Sequence, residues 1–197
     1  MRMACSPGTW DAASELEEER VKMARKLSAG LIPYRVRGKE VEVFLVHPGG
    51  PFWAKKDQGS WSIPKGEYSQ EEEALDVAKR EFWEETGFHA IGNFVELGSV
   101  KQPSGKLIHA WAFEGDFDEG NLVSNTFTME WPRGSGTMRE FPEVDRAGWF
   151  SIREAEMKIL KGQVELLRRL CDRVGFALSE SDAECQTGSG GVQGSLL

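Results

Sequence analysis

Residues 66–88, GEYSQEEEALDVAKREFWEETGF, decide the fold of this chain. Their apolar positions recur at helical spacing, and Ser69 and Glu72 match the S-x-x-E capping box that precedes many helices. Gly87 stands where a left-handed residue commonly ends a helix. The stretch therefore predicts an amphipathic helix over about residues 70–86.

The predicted helix carries a group of carboxylates beside its apolar stripe. The stripe can pack on a sheet and consists of Leu75, Ala78 and Phe82. Along its border lie Glu81, Glu84 and Glu85. Like charges at these spacings repel each other, and the repulsion increases near a packed face unless a cation is bound. Clustered carboxylate oxygens suit Mg²⁺, and Mn²⁺ is the alternative cofactor. The other interpretation of these glutamates is a solvated acidic face of the helix.

The same stretch resembles the signature of the Nudix hydrolase family, G-x5-E-x7-R-E-U-x-E-E-x-G-U, in which U is apolar. Every defined position of the signature is matched, by Gly66, Glu72, Arg80, Glu81, Phe82, Glu84, Glu85, Gly87 and Phe88. The order of the flanking elements extends the resemblance to about residues 28–175. The element pattern itself predicts an α+β fold with a mixed β-sheet, and the resemblance implies that this fold is an α/β/α sandwich.

The resemblance also implies an activity, the hydrolysis of a diphosphate bond in a nucleoside-diphosphate-linked substrate by metal-activated water. Carried over by position, it makes Glu81, Glu84 and Glu85 the metal-binding carboxylates and the Gly66 carbonyl an additional ligand. Glu81 is also a candidate general base, and Arg80 would orient the carboxylates. Glu72 has two interpretations, as a functional position of the signature or as the N3 member of a capping box.

A further acidic residue is expected from the segment REFPEVDRAGWF, residues 139–150. Many members of the family recruit a base or ligand from a loop after the signature. Glu143 is the preferred candidate and Glu140 the second, while a plain surface carboxylate is the alternative for both.

Candidate substrate-binding residues surround the entrance to the signature. Trp53, Lys55, Lys56 and Lys65 combine an aromatic face that can stack on a base with point charges for phosphates. The sequence around Lys65, IPKGE, resembles the approach seen in Nudix enzymes acting on dinucleoside polyphosphates and diphosphoinositol phosphates. His109, on a predicted strand after the signature, is a further pocket candidate. A solvated loop is the alternative for Lys55 and Lys56.

The remaining elements are predicted from apolar patterning and turn residues. Pro33 suggests that the first strand is an edge strand or contains a bulge. Trp61 and Trp111 are expected to pack in the sheet. Ser151 and Glu154 repeat the capping-box spacing before an amphipathic helix that ends near Gly175. The predicted strands are a hairpin of 29–36 and 40–47, then 61–64, 90–100, 106–116, 125–131 and 147–150.

Composition limits the function classes. The chain has 197 residues, and 24 Lys and Arg against 32 Asp and Glu give a net charge of −8. An acidic chain is a poor general nucleic-acid binder, and no apolar run is long enough for a membrane span. Three cysteines without metal-like spacing favour a reducing, cytoplasmic location. We expect a polar, partly helical extension over 1–27, the hydrolase domain over 28–175 and a disordered tail over 176–197.

The resemblance thus implies an enzyme with a small-molecule nucleotide substrate. Nucleoside triphosphates or dinucleoside polyphosphates are the favoured substrates, and ADP-ribose-like compounds are the next choice. A non-catalytic Nudix module that senses a nucleotide and a diphosphoinositol phosphate hydrolase are the alternatives. The oligomeric state is left open.

Overall fold

The computed structural model describes residues 27–176. The extension predicted over 1–27 and the tail predicted over 176–197 lie outside the described residues, apart from Leu27 and Phe176. None of the helices in the described part has the length and apolar character needed to cross a membrane. In chain order the elements are β1 (Leu27–Arg37), β2 (Glu40–Pro48), β3 (Lys65–Tyr68), α1 (Ala74–Thr86), β4 (Val95–Lys101), β5 (Leu107–Glu114), β6 (Thr126–Glu130), β7 (Met138–Pro142), β8 (Val144–Ser151), α2 (Ile152–Lys158) and α3 (Val164–Val174).

A mixed sheet of six strands lies between two layers of helices. Five of its strands lie in the order β4-β5-β1-β2-β8. The sixth strand, β3, pairs with β1 on the same side as β2. β1 and β5 run parallel, while the other neighbours are antiparallel. α1 packs on one face of the sheet, and α2 and α3 pack on the other. The predicted α+β sandwich with a mixed sheet is therefore confirmed.

Alternation along β5 separates the two apolar cores. Ile108 and Ala110 face α2 and α3, whereas Trp111 and Phe113 face α1, as expected for strand side chains that point to opposite faces in turn. Trp111 is buried, and so is Trp61 on the opposite core. The prediction that these two tryptophans serve packing is confirmed.

The signature helix begins later than predicted. Ser69 and Glu72 do pair, since the Ser69 N–H donates to Glu72 Oε2 over 2.9 Å, but they close a turn that precedes the helix. The residue before Ala74 is extended, so regular helix starts at Ala74. At the other end Gly87 has a φ of 76°, and its N–H donates to the Trp83 carbonyl. The predicted left-handed cap is thus confirmed.

The strand predicted over 61–64 lies four residues later in the structure. Trp61 and Ser62 make only isolated bridges, whereas β3 pairs with the first residues of β1 and places Gly66 opposite Ala29. β4 likewise begins at Val95 rather than near residue 90. The signature glycine is therefore part of the sheet, directly under α1.

The prediction that Pro33 marks an edge or a bulge is wrong. β1 is an interior strand, and Pro33 pairs in register with Phe113 of β5. On its other side β1 pairs with β3 up to Gly30 and with β2 only from Tyr34 onward. Pro33 lies between these two ladders, where its missing N–H costs no strand hydrogen bond.

β6 and β7 form a separate two-stranded hairpin. The sequence predicted β6 and the Gly-rich turn after it but not β7. Backbone hydrogen bonds fix the base of the hairpin, because the Asn125 N–H donates to the Glu84 carbonyl over 2.9 Å and the Glu143 N–H donates to the Asn125 carbonyl over 2.8 Å. The hairpin thus stands directly beside the carboxyl end of α1.

Two helices follow β8 where the sequence predicted one. The capping box of Ser151 and Glu154 is present and starts α2. A short 3₁₀ turn of Lys161–Gln163 then leads to α3. This helix ends next to Gly175, as predicted, and Gly175 has a left-handed φ of 74°.

Candidate active site

The carboxylates of α1 meet β3 at its first two residues. Glu81 lies so close to Gly66 that a Cβ on that glycine would stand 1.9 Å from the Glu81 carboxyl carbon. The N–H of the neighbouring Lys65 donates to Glu85 Oε2 over 3.2 Å. Only a glycine at position 66 leaves room for this approach, so the spacing of the signature reflects a steric requirement.

Glu85 is held where its charge is unfavourable. The pKa of Glu85 is raised to about 7, chiefly through desolvation by burial and also by the nearby charges of Glu81 and Glu143, while Lys65 acts in the opposite direction. A carboxylate with too little positive charge around it is the electrostatic environment that a cation would relieve. This side chain is therefore suited to bind a metal ion.

Glu143 lies with the carboxylates of the signature and Glu140 does not. Partial burial raises the pKa of Glu143, and so do the charges of Glu81 and Glu84. Glu140 sits on the hairpin, where Thr126 Oγ1 donates to its Oε1 over 2.5 Å. The geometry thus favours the first candidate over the second, and a catalytic role for Glu143 stays a prediction.

Arg80 connects the carboxylates on the exposed side of α1. Its guanidinium donates to Glu81 Oε1 over 3.1 Å and to Glu72 Oε1 over 3.2 Å. Its Nε lies 3.8 Å from Glu84 Oε1. The contacts with Glu81 and Glu72 raise the pKa of Arg80, with the Glu81 bond as the largest cause. The arrangement fits the orienting role predicted for Arg80, and it gives Glu72 both an Arg80 contact and its capping contact.

The donor set fits a hard divalent cation although the side chains are not arranged around one. Within residues 27–176, no three or more His, Cys, Asp or Glu side chains are grouped as metal ligands would be. Arg80 instead occupies one oxygen of Glu81. The close approach of Glu81 to Gly66 and the buried position of Glu85 nevertheless bring carboxylate oxygens together in one place. Mg²⁺ and Mn²⁺ prefer oxygen donors of this type.

The substrate-binding candidates are dispersed. Lys65 lies against Glu85. In the loop after β2, the Lys56 ammonium lies 4.4 Å from the centroid of the Trp53 ring, and Lys55 is exposed. His109 stacks on Trp111, and its Nε2 lies 2.7 Å from Glu96 Oε1. His109 is two strands away from Gly66 in the sheet register, and its ring contacts Glu96 and Trp111.

Two features of this region were missed in the sequence. His47 is fully buried, with Nδ1 2.7 Å from Asp145 Oδ1 and Nε2 2.9 Å from the Lys56 carbonyl, and it joins the loop to β8 near Glu143. Phe52 packs against Trp131 at the tip of the hairpin, with ring centroids 5.3 Å apart. The Gly-rich segment after Trp131 was a signal for the hairpin, but nothing in the sequence indicated its partner.

Comparison with known proteins identifies the family. The model of the NUDIX domain matches residues 24–170, and a search of curated protein sequences gave no match. A crystal structure of an Ap4A hydrolase binary complex from C. elegans is similar at a TM-score of 0.54, with 18% identity over 75% of this chain and 98% of that chain. The NUDIX domain of Shewanella oneidensis NrtR, complexed with ADP ribose, is similar at a TM-score of 0.54, with 14% identity over 83% of this chain and 98% of that chain. At these identities the two structures support the fold alone. Because the family model covers most of the chain, and the signature glycine and carboxylates meet at β3 in the structure, this protein belongs to the Nudix family.

Proposed function

We propose that this Nudix protein is a Mg²⁺-dependent pyrophosphohydrolase that cleaves a diphosphate bond in a nucleoside-diphosphate-linked substrate. The observation that carries the proposal is the meeting of two α1 carboxylates with β3, Glu81 at Gly66 and Glu85 at Lys65, in an environment that raises the pKa of Glu85 to about 7. A strongly raised pKa of a buried carboxylate is common at functional sites.

Glu81, Glu84, Glu85 and the Gly66 carbonyl would hold the metal. When bound, Mg²⁺ lowers the pKa of a coordinated water and neutralises charge on the leaving diphosphate. Mn²⁺ is the alternative ion, since it accepts the same ligands. Arg80 keeps Glu81 and Glu84 oriented through its guanidinium, which reduces the reorganisation needed when substrate arrives.

Two carboxylates compete for the role of general base. Glu81 is the candidate within the signature, and Glu143 is the candidate from outside it. The raised pKa of Glu143 makes its carboxylate a stronger base than an ordinary glutamate. Replacing each by Gln and comparing the pH dependence of kcat separates them, because loss of the base removes the acidic limb of the profile.

Nucleoside triphosphates and dinucleoside polyphosphates are the favoured substrates, and ADP-ribose-like compounds follow. Lys65 beside Glu85, with Lys55 and Lys56 in the neighbouring loop, supplies positive charge for phosphate oxygens. Ap4A and ADP ribose, named for the two similar proteins, both contain a nucleoside diphosphate and belong in the test panel.

The experiment is a product-mass and phosphate-release screen of the purified chain against nucleotides, with Mg²⁺ and with EDTA. Turnover that requires Mg²⁺ and falls by orders of magnitude in Glu84→Gln and Glu85→Gln supports the proposal. Glu71→Gln is the matched control, because Glu71 is exposed on the turn before α1, and it should retain full turnover.

Two results would change the assignment. Nucleotide binding without turnover by the wild-type chain would replace the enzyme with a nucleotide-sensing module. Turnover of a diphosphoinositol phosphate in preference to every nucleotide would keep the chemistry and replace the substrate.

A further inference from the structure

A cluster of exposed and half-buried aromatic and basic side chains lies outside the carboxylate site, where the loop after β2 meets the tip of the β6–β7 hairpin. Phe52 is 44% exposed, and its ring meets that of Trp131 at 82° with centroids 5.3 Å apart. The guanidinium carbon of Arg133 lies 5.2 Å from the centroid of the Phe52 ring. We call Phe52, Trp131 and Arg133 the aromatic corner, because the two rings stand nearly at right angles.

The corner is held in place by close packing between the loop and the hairpin. A Cβ on Gly49 would stand 2.0 Å from the Pro142 carbonyl oxygen, and a Cβ on Gly50 would stand 3.1 Å from the Phe127 ring. Gly50 also has a backbone φ of 85°, which residues other than glycine rarely adopt. Both glycines, three and two residues before Phe52, are therefore needed for the loop to lie directly on the hairpin.

Strand alternation gives the hairpin two different faces. Phe127 contacts the loop, and its cross-strand partner Phe141 and the nearby Arg139 share that face by register. The two glutamates lie on the other face, where Glu130 accepts from the Gly136 N–H and Glu140 accepts from Thr126. The side toward the loop is therefore aromatic and positively charged.

Backbone connections limit the distance from the corner to the carboxylates. The Gly49 N–H donates to the carbonyl of Glu143 over 2.8 Å. Phe52 follows Gly49 by three residues, so their Cα atoms are at most about 11 Å apart. Lys55 and Lys56 continue the same loop. One extended ligand can thus reach from the carboxylates to the corner.

We propose that the aromatic corner is a nucleobase-binding subsite, an inference that rests on the proposed function and narrows its substrate class. The base stacks on Phe52 or Trp131, and the phosphates extend toward Glu143. Stacking on an aromatic face accepts every base, and an adjacent arginine adds to it. A diphosphoinositol phosphate has no flat ring, so the corner favours nucleotides over that class.

The test measures binding of AMP and of inorganic pyrophosphate by calorimetry, with the full-length chain and Mg²⁺. Phe52→Ala and Trp131→Ala should each weaken AMP binding roughly 10- to 100-fold and leave pyrophosphate binding within about twofold of wild type. Met138→Ala is the matched control, since this residue is exposed on the opposite face of the same hairpin, and it should change neither. Far-UV circular dichroism checks that all variants are folded.

The outcomes separate this inference from the proposed function. AMP binding that is unchanged in both variants, absent in wild type, or weakened in parallel with pyrophosphate binding overturns the subsite. Nucleotide turnover with a KM unaffected by both substitutions overturns it while leaving the hydrolase intact. Weakened AMP binding in a chain that hydrolyses nothing retains the subsite and refutes the hydrolase.

Discussion

Removing the charge of Glu85 is expected to stabilise the metal-free protein most above neutral pH. Its pKa is raised from 4.5 to about 7 in the folded chain, so between these values the folded state binds a proton that the unfolded state has lost. The contribution to stability is fully present below pH 4.5 and is lost as the pH rises through 7. Glu85→Gln keeps the neutral shape of the side chain and removes this pH dependence.

The size of the effect follows from the same two pKa values. Linkage gives a loss of about 2 kcal/mol in the free energy of unfolding of the wild-type chain between roughly pH 5.5 and pH 8. The Gln variant lacks this loss, so its stability relative to wild type should increase by that amount across the interval. In thermal unfolding the difference corresponds to about 4–8 °C.

The assay is urea unfolding of wild type and Glu85→Gln in EDTA at both pH values, with Glu71→Gln as the control that should follow wild type. Adding Mg²⁺ at the higher pH should then stabilise wild type more than the Gln variant, because binding to the folded state adds to its stability. A difference between wild type and Glu85→Gln that is the same at both pH values would refute the reasoning.

Three further substitutions test contacts in the site and in the surrounding fold. Gly66→Ala should lower kcat by about 100-fold with an unchanged circular dichroism spectrum, because the new methyl displaces Glu81; wild-type kcat would show that the close approach is not needed. His47→Leu should cost about 2 kcal/mol in urea unfolding, because it removes the buried partner of Asp145, and a loss under about 0.5 kcal/mol would contradict this. Ser151→Ala should cost about 1 kcal/mol by removing the α2 capping box, and no shift in the urea midpoint would count against that estimate.

Local patterns in the sequence were sufficient for the signature helix and its surroundings. Ala78 and Phe82 are fully buried, as the helical spacing predicts. Gly87 ends the helix because glycine adopts the left-handed conformation at little cost. The helix start was misplaced because the Ser69 and Glu72 pair caps a turn as readily as a helix. Interactions between neighbours in sequence were therefore predictable, including the capping box of α2.

Features that depend on distant pairing were not predictable in the same way. Pro33 was interpreted as an edge residue, but which strands flank β1, and where each ladder begins, is decided by the whole sheet. The choice between Glu143 and Glu140 also depended on the unrecognised strand β7, whose register directs Glu140 away from the loop. The meeting of Phe52 with Trp131 joins segments whose order in the chain contains no information about contact.

Among the described strands, β6 and β7 pair only with each other. Insertions, deletions or substitutions in the turn between them, residues 131–137, leave the six-stranded ladder and α1 without any change of partner. Descendants of this chain could therefore diversify what they recognise by altering one peripheral turn, while the inherited chemistry is preserved. The pairing of the strands thus separates the turn that can change from the sheet and helix that hold the carboxylates.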